Sequence, residues 1–474
     1  MTLPTHKTKI VATIGPACDS PPILERMIRA GMNVARLNFS HGTFEQHGRN
    51  IQALRSAAGA VGREIAVMAD LPGPKMRIGM LAQEPIELAS GAPFTLVGHE
   101  ITGDATQAST TFPKLPEVVK PGDNLFLNDG LIQLEVMRIT NRDVHCRVVM
   151  GGELRSRKGL NLPGIELGVS AFTDHDRECL QFALEHGADA VSQSFVETAA
   201  DILSVREASR SFGRQPFLFA KIERSRALEN IDEILAAADG IMIARGDLGV
   251  ETPIEEIAIL QKALIKKAIC LAKPVITATQ MLESMTVSRQ PTRAESTDVA
   301  NAILDGTDCV MLSGESANGR YPVEAVETLS RIAAATEPHR ARIDVWERLR
   351  TVTPDLDLGI PDLFSVSIET LMTRAKPAAV VVPTRTGATA RSICRFRLPI
   401  WIAAPSTSEA VCRQLQFSYG VEPIPASEEV VDWTAIAREW VRREGLTGKL
   451  AILIQGPSPH SPNANHRMEL VELS

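Results

Sequence analysis

The 474-residue sequence predicts an α/β protein: a (β/α)8 barrel of the TIM type, interrupted by a small inserted β-barrel domain and followed by a C-terminal α/β domain. Three observations predict it. Short aliphatic or β-branched runs alternate with longer helix-like segments, the pattern of βα units around a parallel sheet. Eight such units can be counted, and eight is the number that closes this kind of barrel. Hydrophobic residues make up 44% of the chain and aromatics only 4%, so the core must be aliphatic, which suits strands buried on both faces.

Three units come first: strand 8–14 with helix 22–30 stopping at Gly31, strand 33–39 with helix 43–60, and strand 64–70. The pattern then breaks over 71–169. Strand-like pieces at 86–88, 93–97, 124–127, 132–139 and 143–150 are separated there by Gly-Asp, Asn-Asp-Gly and Asn-Arg-Asp turns, the signature of a small all-β insertion. A helix at 173–186 restores the alternation. Five strands follow at 190–195, 216–222, 240–245, 274–280 and 309–313, with helices expected at 198–210, 225–236, 254–271, 292–304 and 322–335. Pro322 suits the first turn of the last of these. The barrel is therefore assigned to 1–70 and 170–338 and the insertion to 71–169. A charged linker (340–350) and a Pro-rich stretch (353–361) open the C-terminal domain, 339–474, with strands expected at 378–382, 400–403 and 449–454.

Net charge is −7, a mildly acidic balance that disfavours non-specific binding to nucleic acid or membrane surfaces. Anionic ligands must then be met by local basic clusters. Cys18, Cys146, Cys179, Cys270, Cys309, Cys394 and Cys412 are odd in number and dispersed, with no Cys-x-x-Cys, as expected of reduced thiols. Residues 1–9 lack the apolar stretch of a signal peptide, and no run approaches a membrane span. A cytoplasmic location is expected.

In such a barrel, chemistry gathers where strands end and βα loops begin. Six strand ends are polar here. They are Arg36-Leu37-Asn38-Phe39-Ser40-His41, Asp70, Lys221-Ile222-Glu223, Arg245-Gly246-Asp247, Thr277-Ala278-Thr279 and Ser313-Gly314-Glu315. Side chains two apart on a strand share a face, so Arg36 with Asn38, Lys221 with Glu223, and Thr277 with Thr279 are expected to project together. Glu223 and Asp247 are hard oxygen donors of the kind that suits Mg²⁺ or Mn²⁺. Arg36, Arg77 and Lys221 are cations for anionic oxygens. The turn at 246–249 offers backbone N–H groups to a carboxylate. Metal ligands and several cations without a Cys or His nucleophile point to phosphoryl transfer or enolate chemistry. His41 is the only histidine expected near the site.

Seven segments resemble the pyruvate kinase family: 8–16 (TKIVATIGP), 33–42 (NVARLNFSHG), 242–251 (MIARGDLGVE), 276–285 (ITATQMLESM), 291–295 (PTRAE), 298–306 (DVANAILDG) and 311–315 (MLSGE). They run through the barrel in order, with the β insertion in the family's place. The resemblance implies transfer of the phosphoryl group of phosphoenolpyruvate to ADP. Lys221, Arg36, Thr279 and Ser313 would be catalytic, and Glu223 and Asp247 would hold the divalent metal. Arg36, Lys221, the 244–247 backbone (Ala244, Arg245, Gly246, Asp247) and Thr279 would bind substrate. Arg36, Asn38, His41, Arg77 and Lys158 would meet the nucleotide as the insertion closes. Thr279, with Ser313, would relay a proton through water to the enol carbon. A homotetramer is expected on the same ground.

Two departures stand out. Many relatives read Asp-Thr-Lys-Gly-Pro-Glu after strand three and bind K⁺ through Asn, Ser, Asp and Thr ligands. This chain keeps Asn38, Ser40 and Asp70 but reads Asp70-Leu71-Pro72-Gly73-Pro74-Lys75. Leu71 removes an oxygen ligand, and the Lys75 ammonium can supply the charge that K⁺ otherwise brings, so K⁺ is not expected to be required. In the C-terminal domain Thr384, Arg385, Thr386, Gly387, Ala388 and Thr389 form a hydroxyl-rich loop before a helix, a phosphate nest. There the family binds a phosphorylated effector. Ala388 replaces the Lys or Arg of many relatives, which argues against tight fructose bisphosphate binding. The loop 457–465 is placed to cover the same site.

Two other readings compete. Another metal-dependent enolate barrel, such as a phosphoenolpyruvate carboxylase or mutase relative, has no use for an insertion carrying Arg77 and Lys158. A metabolite-sensing protein without activity would lack a catalytic residue, and none is missing.

Overall fold

A computed structural model of the chain describes residues 3–341, 359–372, 374–427, 432–456 and 465–473. Eight parallel strands close into a barrel: β1 (Lys9–Thr13), β2 (Met32–Asn38), β3 (Ala66–Leu71) and, after an insertion that carries β4 to β11, β12 (Ala190–Gln193), β13 (Phe217–Ile222), β14 (Gly240–Ala244), β15 (Val275–Ala278) and β16 (Cys309–Leu312). Around the ring β1 pairs with β16 and with β2, and β12 follows β3 directly. The insertion therefore leaves the barrel register intact. Most barrel strands are buried along their length, because helices cover the outside and side chains fill the inside. Threonine caps with reciprocal bonds start several of those helices, as in Thr43 with Gln46, Thr173 with Asp176 and Thr292 with Glu295.

Two expected helices differ. The segment expected as one helix at 225–236 is broken at Asn230 into Ser225–Glu229 and Ile231–Ala237. A short helix at Arg245–Glu251, read from sequence only as a turn, precedes a 3₁₀ turn at Ile254–Glu256 and a helix at Ile257–Cys270.

The insertion comprises β4 (Ile86–Leu88), β5 (Pro93–Val97), β6 (Gln107–Ser109), β7 (Asn124–Leu127), β8 (Ile132–Thr140), β9 (Asp143–Met150), β10 (Gly152–Leu154) and β11 (Leu160–Asn161). Six of these form a sheet in the order β11-β7-β8-β9-β5-β6, and β10 pairs with β4. The two edges of the sheet meet through one segment. Arg77 bridges Gly159 beside β11, and Ile78 bridges Thr110 beside β6. The β-barrel expected from sequence is thus closed by single-residue bridges at 77–78 rather than by a full strand. Its core, including Phe94, Leu96, Leu125, Leu134 and Val148, is separate from that of the main barrel.

The C-terminal sheet has five strands: β17 (Ala379–Val381), β18 (Trp401–Ser406), β19 (Val421–Pro425), β20 (Leu450–Gln455) and β21 (Arg467–Glu472), in the order β19-β18-β17-β20-β21. Two were not anticipated, and both are edges. β19 contains Pro423 and Pro425, which remove ladder donors and are tolerated only at an edge. In β21 only Val471 is buried, so its apolar signal is weak. The linker 340–350, the stretch 353–361 and the loop 457–465 fall largely outside the described residues.

This domain closes the floor of the main barrel. Phe417 enters between Phe217 and Phe219, ring centroids 6.1 and 4.8 Å away, among the inward-facing Val11, Val34, Met68, Met242, Ile276 and Met311. Lys9 at the start of β1 is buried and donates to Val421 O at 2.7 Å, and Arg397 meets Asp308 at 2.6 Å. With the floor filled, the open end is the one where the strands finish. All seven cysteines are buried and free. Among the described residues no helix is long and apolar enough to cross a membrane.

Candidate active site

Four adjacent strands bring one charge cluster to the barrel mouth. Arg36 near the end of β2 donates through Nε to Asp70 Oδ2 at 2.9 Å, again to that oxygen through Nη2, and through Nη1 to Thr13 Oγ1 at 2.9 Å. Asp70 on β3 is almost fully buried; its other oxygen accepts Ser192 Oγ at 2.7 Å and lies 3.7 Å from Lys221 Nζ. Lys221 on β13 also donates to Ser194 Oγ at 2.7 Å and sits 3.1 Å from Glu223 Oε2. Lys221 and Glu223 do share a face, as their spacing predicts.

Glu223 is buried, and its Oε1 accepts the Phe195 N–H at 2.6 Å. Its Oε2 has the nearby ammonium but no hydrogen bond of acceptable geometry. Burial pushes the Glu223 carboxyl up; Lys221 opposes this and Asp247 adds to it, leaving it above the ordinary value. Burial alone would also raise Asp70, but Arg36 and Lys221 outweigh it and hold the carboxyl low. For Lys221, burial is overcome by Asp70, Glu223 and Asp247, and the ammonium is held above its ordinary range. Three carboxylates thus crowd two cations. An orphaned buried oxygen on Glu223, with exposed Asp247 in electrostatic range, fits a hard divalent cation that takes few protein oxygens and completes its shell with water and substrate. Among the described residues no cluster of three or more metal-ligating side chains exists, so a metal at this mouth would have to draw further oxygens from its substrates.

The neighbouring wall is built by Thr279 and the turn after β14. Thr279 has φ +70°, a left-handed conformation that costs a β-branched residue about 1–3 kcal/mol. That conformation turns its hydroxyl to accept the Gly246 N–H at 2.7 Å, while the same oxygen donates to Ala278 O at 2.7 Å. A Cβ on residue 246 would come within 3.3 Å of this oxygen, so glycine permits the approach. The positive φ also defeats the spacing argument for Thr277, which is fully buried and bonded to Thr307 Oγ1 at 2.9 Å. Ala244 is buried. The Arg245 side chain turns from the mouth to Asp298 (2.7 Å) and Thr279 O (2.9 Å), leaving backbone as what 244–247 presents. Ser313 ends β16; its N–H is held at 2.7 Å by buried Glu315, whose other oxygen accepts the Leu282 N–H at 3.0 Å.

Asn38 and Asp70 are partners across β2 and β3, and Asn38 Oδ1 accepts the Ser40 N–H at 3.1 Å. Leu71 is wholly buried in the barrel core. Lys75 keeps contact with solvent, yet desolvation and the charges of Lys221 and Arg77 lower its ammonium, against Asp247 and Asp70. Its charge is thus felt at the mouth. Arg77 and Lys158 lie on opposite sides of the seam that closes the insertion, where Ile78 N donates to Lys158 O at 2.9 Å. The entry to the insertion is pinned by buried Asp176, which accepts the Gly73 N–H at 2.9 Å. Gly73 has φ +66°, and a Cβ there would strike Phe195 at 2.7 Å.

The loop 384–389 stands apart, on the C-terminal domain. Two of its N–H groups are met within the loop, Gly387 N by Thr384 Oγ1 at 2.9 Å and Ala388 N by Thr386 Oγ1 at 3.4 Å, while Thr384 N donates to Pro405 O at 2.8 Å and Arg385 is exposed. An incoming phosphate would displace the two hydroxyls. Thr13, Ser192, Ser194, Asp176 and Asp298 were not singled out from sequence. Ser192 and Ser194 obey the same two-residue spacing at a strand end and were legible; Asp176 and Asp298 sit on helices remote in sequence from the groups they hold.

One consequence concerns His41. Burial, then Lys75, Arg77 and Arg36, lower its imidazole below 6.5. An NMR titration of the ligand-free protein should place its midpoint below that value, and Lys75→Met should move it upward. A midpoint unaffected by that substitution would mean Lys75 points elsewhere.

A family model described as pyruvate kinase, barrel domain, matches residues 5–326, and one described as pyruvate kinase, alpha/beta domain, matches 365–467. A pyruvate kinase of Thermococcus litoralis is 49% identical over 430 residues, 90% of each chain. Another, from Geobacillus stearothermophilus, is 42% identical over 461 residues, 95% of this chain and 78% of that one. The crystal structure of a pyruvate kinase from Cryptosporidium parvum superposes with a TM-score of 0.90 at 36% identity, covering 99% of this chain and 97% of that one. With the closed barrel, the β insertion and the charge cluster at the mouth, these matches establish that the chain belongs to the pyruvate kinase family of phosphotransferases.

Proposed function

We propose that this chain transfers the phosphoryl group of phosphoenolpyruvate to ADP without a monovalent cation and under control of a phosphorylated metabolite. The observation that carries the site assignment is the buried set Arg36, Asp70, Lys221 and Glu223 at the barrel mouth. In the transfer, the bond from phosphorus to the enol oxygen breaks, one forms to a terminal oxygen of ADP, and the enolate takes a proton at carbon. Arg36, fixed by Asp70 and Thr13, grips the phosphate. Lys221, fixed by Asp70 and Ser194, faces the charge that develops on the phosphoryl oxygens. Glu223 and Asp247 would hold Mg²⁺ or Mn²⁺, whose chemistry there is to neutralise charge on substrate oxygens. The turn 244–247 presents its backbone to the substrate carboxylate, the Gly246 N–H being held by Thr279. The Thr279 hydroxyl, too weak an acid alone, serves in a relay with Ser313 and water. Closure of the insertion brings Arg77 and Lys158 over the nucleotide beside Asn38 and His41 and excludes water.

Lys75 supports independence from K⁺. Its ammonium is in range of Asp70 and Asp247, and buried Leu71 adds no side-chain oxygen to Asn38, Ser40 and Asp70. The exposed, hydroxyl-rich loop 384–389 supports an effector phosphate in the C-terminal domain. A homotetramer rests on the resemblance alone, and sedimentation velocity tests it.

Lys221→Met should lower kcat by at least about a hundredfold while thermal unfolding stays cooperative; full activity would refute the assignment. Initial rates with phosphoenolpyruvate and ADP should not change when KCl is added to a buffer free of K⁺ and NH₄⁺, whereas Lys75→Glu should make them K⁺-dependent. In the same assay one of a panel of sugar phosphates and AMP should shift the phosphoenolpyruvate dependence. A many-fold rise with KCl in the unaltered protein, or indifference to every compound, would defeat the corresponding proposal.

A further inference from the structure

Beneath the barrel, between its floor and the helix Ala388–Cys394, lies a cavity of about 10 Å³, room for one water-sized particle. Lys273, Asp308, Arg391, Arg395, Arg397 and Ser418 line it, four cations against one carboxylate. Asp308 is fully engaged. Its Oδ2 accepts Arg397 Nη2 at 2.6 Å and Val275 N at 3.1 Å, and its Oδ1 accepts Tyr419 N at 3.0 Å. Arg395 is answered by Asp362 at 2.8 Å, and Lys273 donates to Ala238 O at 2.7 Å. Arg391 donates only to a carbonyl, Thr386 O at 2.8 Å; Asp239, the carboxylate that acts on it at longer range, is paired with Arg206 at 3.1 Å.

Three buried polar atoms of these lining residues have no partner among the described residues: Arg391 Nη1, Arg395 Nε and Ser418 Oγ. Arg395 is 4% exposed and Ser418 0%, so solvent does not satisfy them. All three can donate, and the two guanidinium atoms can only donate. A water would meet some of them but would bring two protons needing acceptors, which the engaged Asp308 does not supply. A halide within reach of these donors would accept from them, would bring no proton, and would offset surplus positive charge.

We infer that this cavity binds one small monatomic anion, of chloride or bromide size, clamped between the barrel floor and the C-terminal domain. Because Arg391 also holds Thr386 O, the ion braces the loop 384–389 from below. Burial holds the guanidinium groups of Arg391 and Arg395 below their ordinary range, whereas for Arg397 burial is outweighed by Asp308 and the group is held above it.

Thermal unfolding in sodium chloride, bromide and gluconate at one ionic strength tests this, with no K⁺ present. Both halides should raise the midpoint in a saturable manner that gluconate does not reproduce. Arg391→Met should lose that response. Ser418→Ala, which removes a hydroxyl that has no partner and so spares the fold, should weaken it. Crystals grown in bromide should give an anomalous peak in the cavity. Equal midpoints in the three salts, a halide response retained in both variants, or a water without anomalous signal would each overturn the inference.

Discussion

The mouth of this barrel depends on Asp70. One buried carboxylate accepts two donors from Arg36 on one side and a hydroxyl from Ser192 on the other, with Lys221 within 3.7 Å. A charge so deeply placed is tolerable only when it is paired and hydrogen-bonded. The carboxylate in turn fixes the two cations. Without it, Arg36 and Lys221 would face each other across a dry space and repel. Arg36 and Lys221, the cations proposed to meet a phosphate, are therefore positioned by a residue that need not touch it.

The two ends of the barrel use similar chemistry to opposite effect. At the floor, Asp308 sits just before the start of β16 and also holds an arginine, but Arg397 comes from the C-terminal domain, and Phe417 of that domain packs on Phe217 and Phe219. The result is a sealed joint. β1 spans the distance between the two ends: Lys9 at its start binds Val421 O, and Thr13 at its finish accepts from Arg36. This five-residue strand has no exposed residue and connects the C-terminal domain to Arg36.

Strain and permissive glycine appear where the chain needs an approach that regular strands forbid. Thr279 leaves the β-region to aim its hydroxyl at the Gly246 N–H, and Gly73 turns the chain into the insertion under the hold of Asp176. The insertion keeps its own core, and Arg224 and Arg226 of the barrel reach Ile165 O and Glu166 of the insertion.

The sequence by itself determined the eight βα units, the mainly β character of the insertion (a single helical turn, Leu115–Val118, interrupts it), and the pairing of Lys221 with Glu223, because burial patterns and two-residue spacing are local. It also displayed Ser192 and Ser194 in the same spacing. Four things were decided only by tertiary structure. The edge strands β19 and β21 exist because a neighbour supplies their ladder, and their own residues signal it weakly. The insertion closes through single bridges at Arg77 and Ile78, which no periodicity marks. Thr277 and Thr279 part company because one backbone dihedral turns left-handed. Asp176 and Asp298, and Glu315 in its hold on the Leu282 N–H, fix site elements through contacts made in space, and sequence distance hides such contacts.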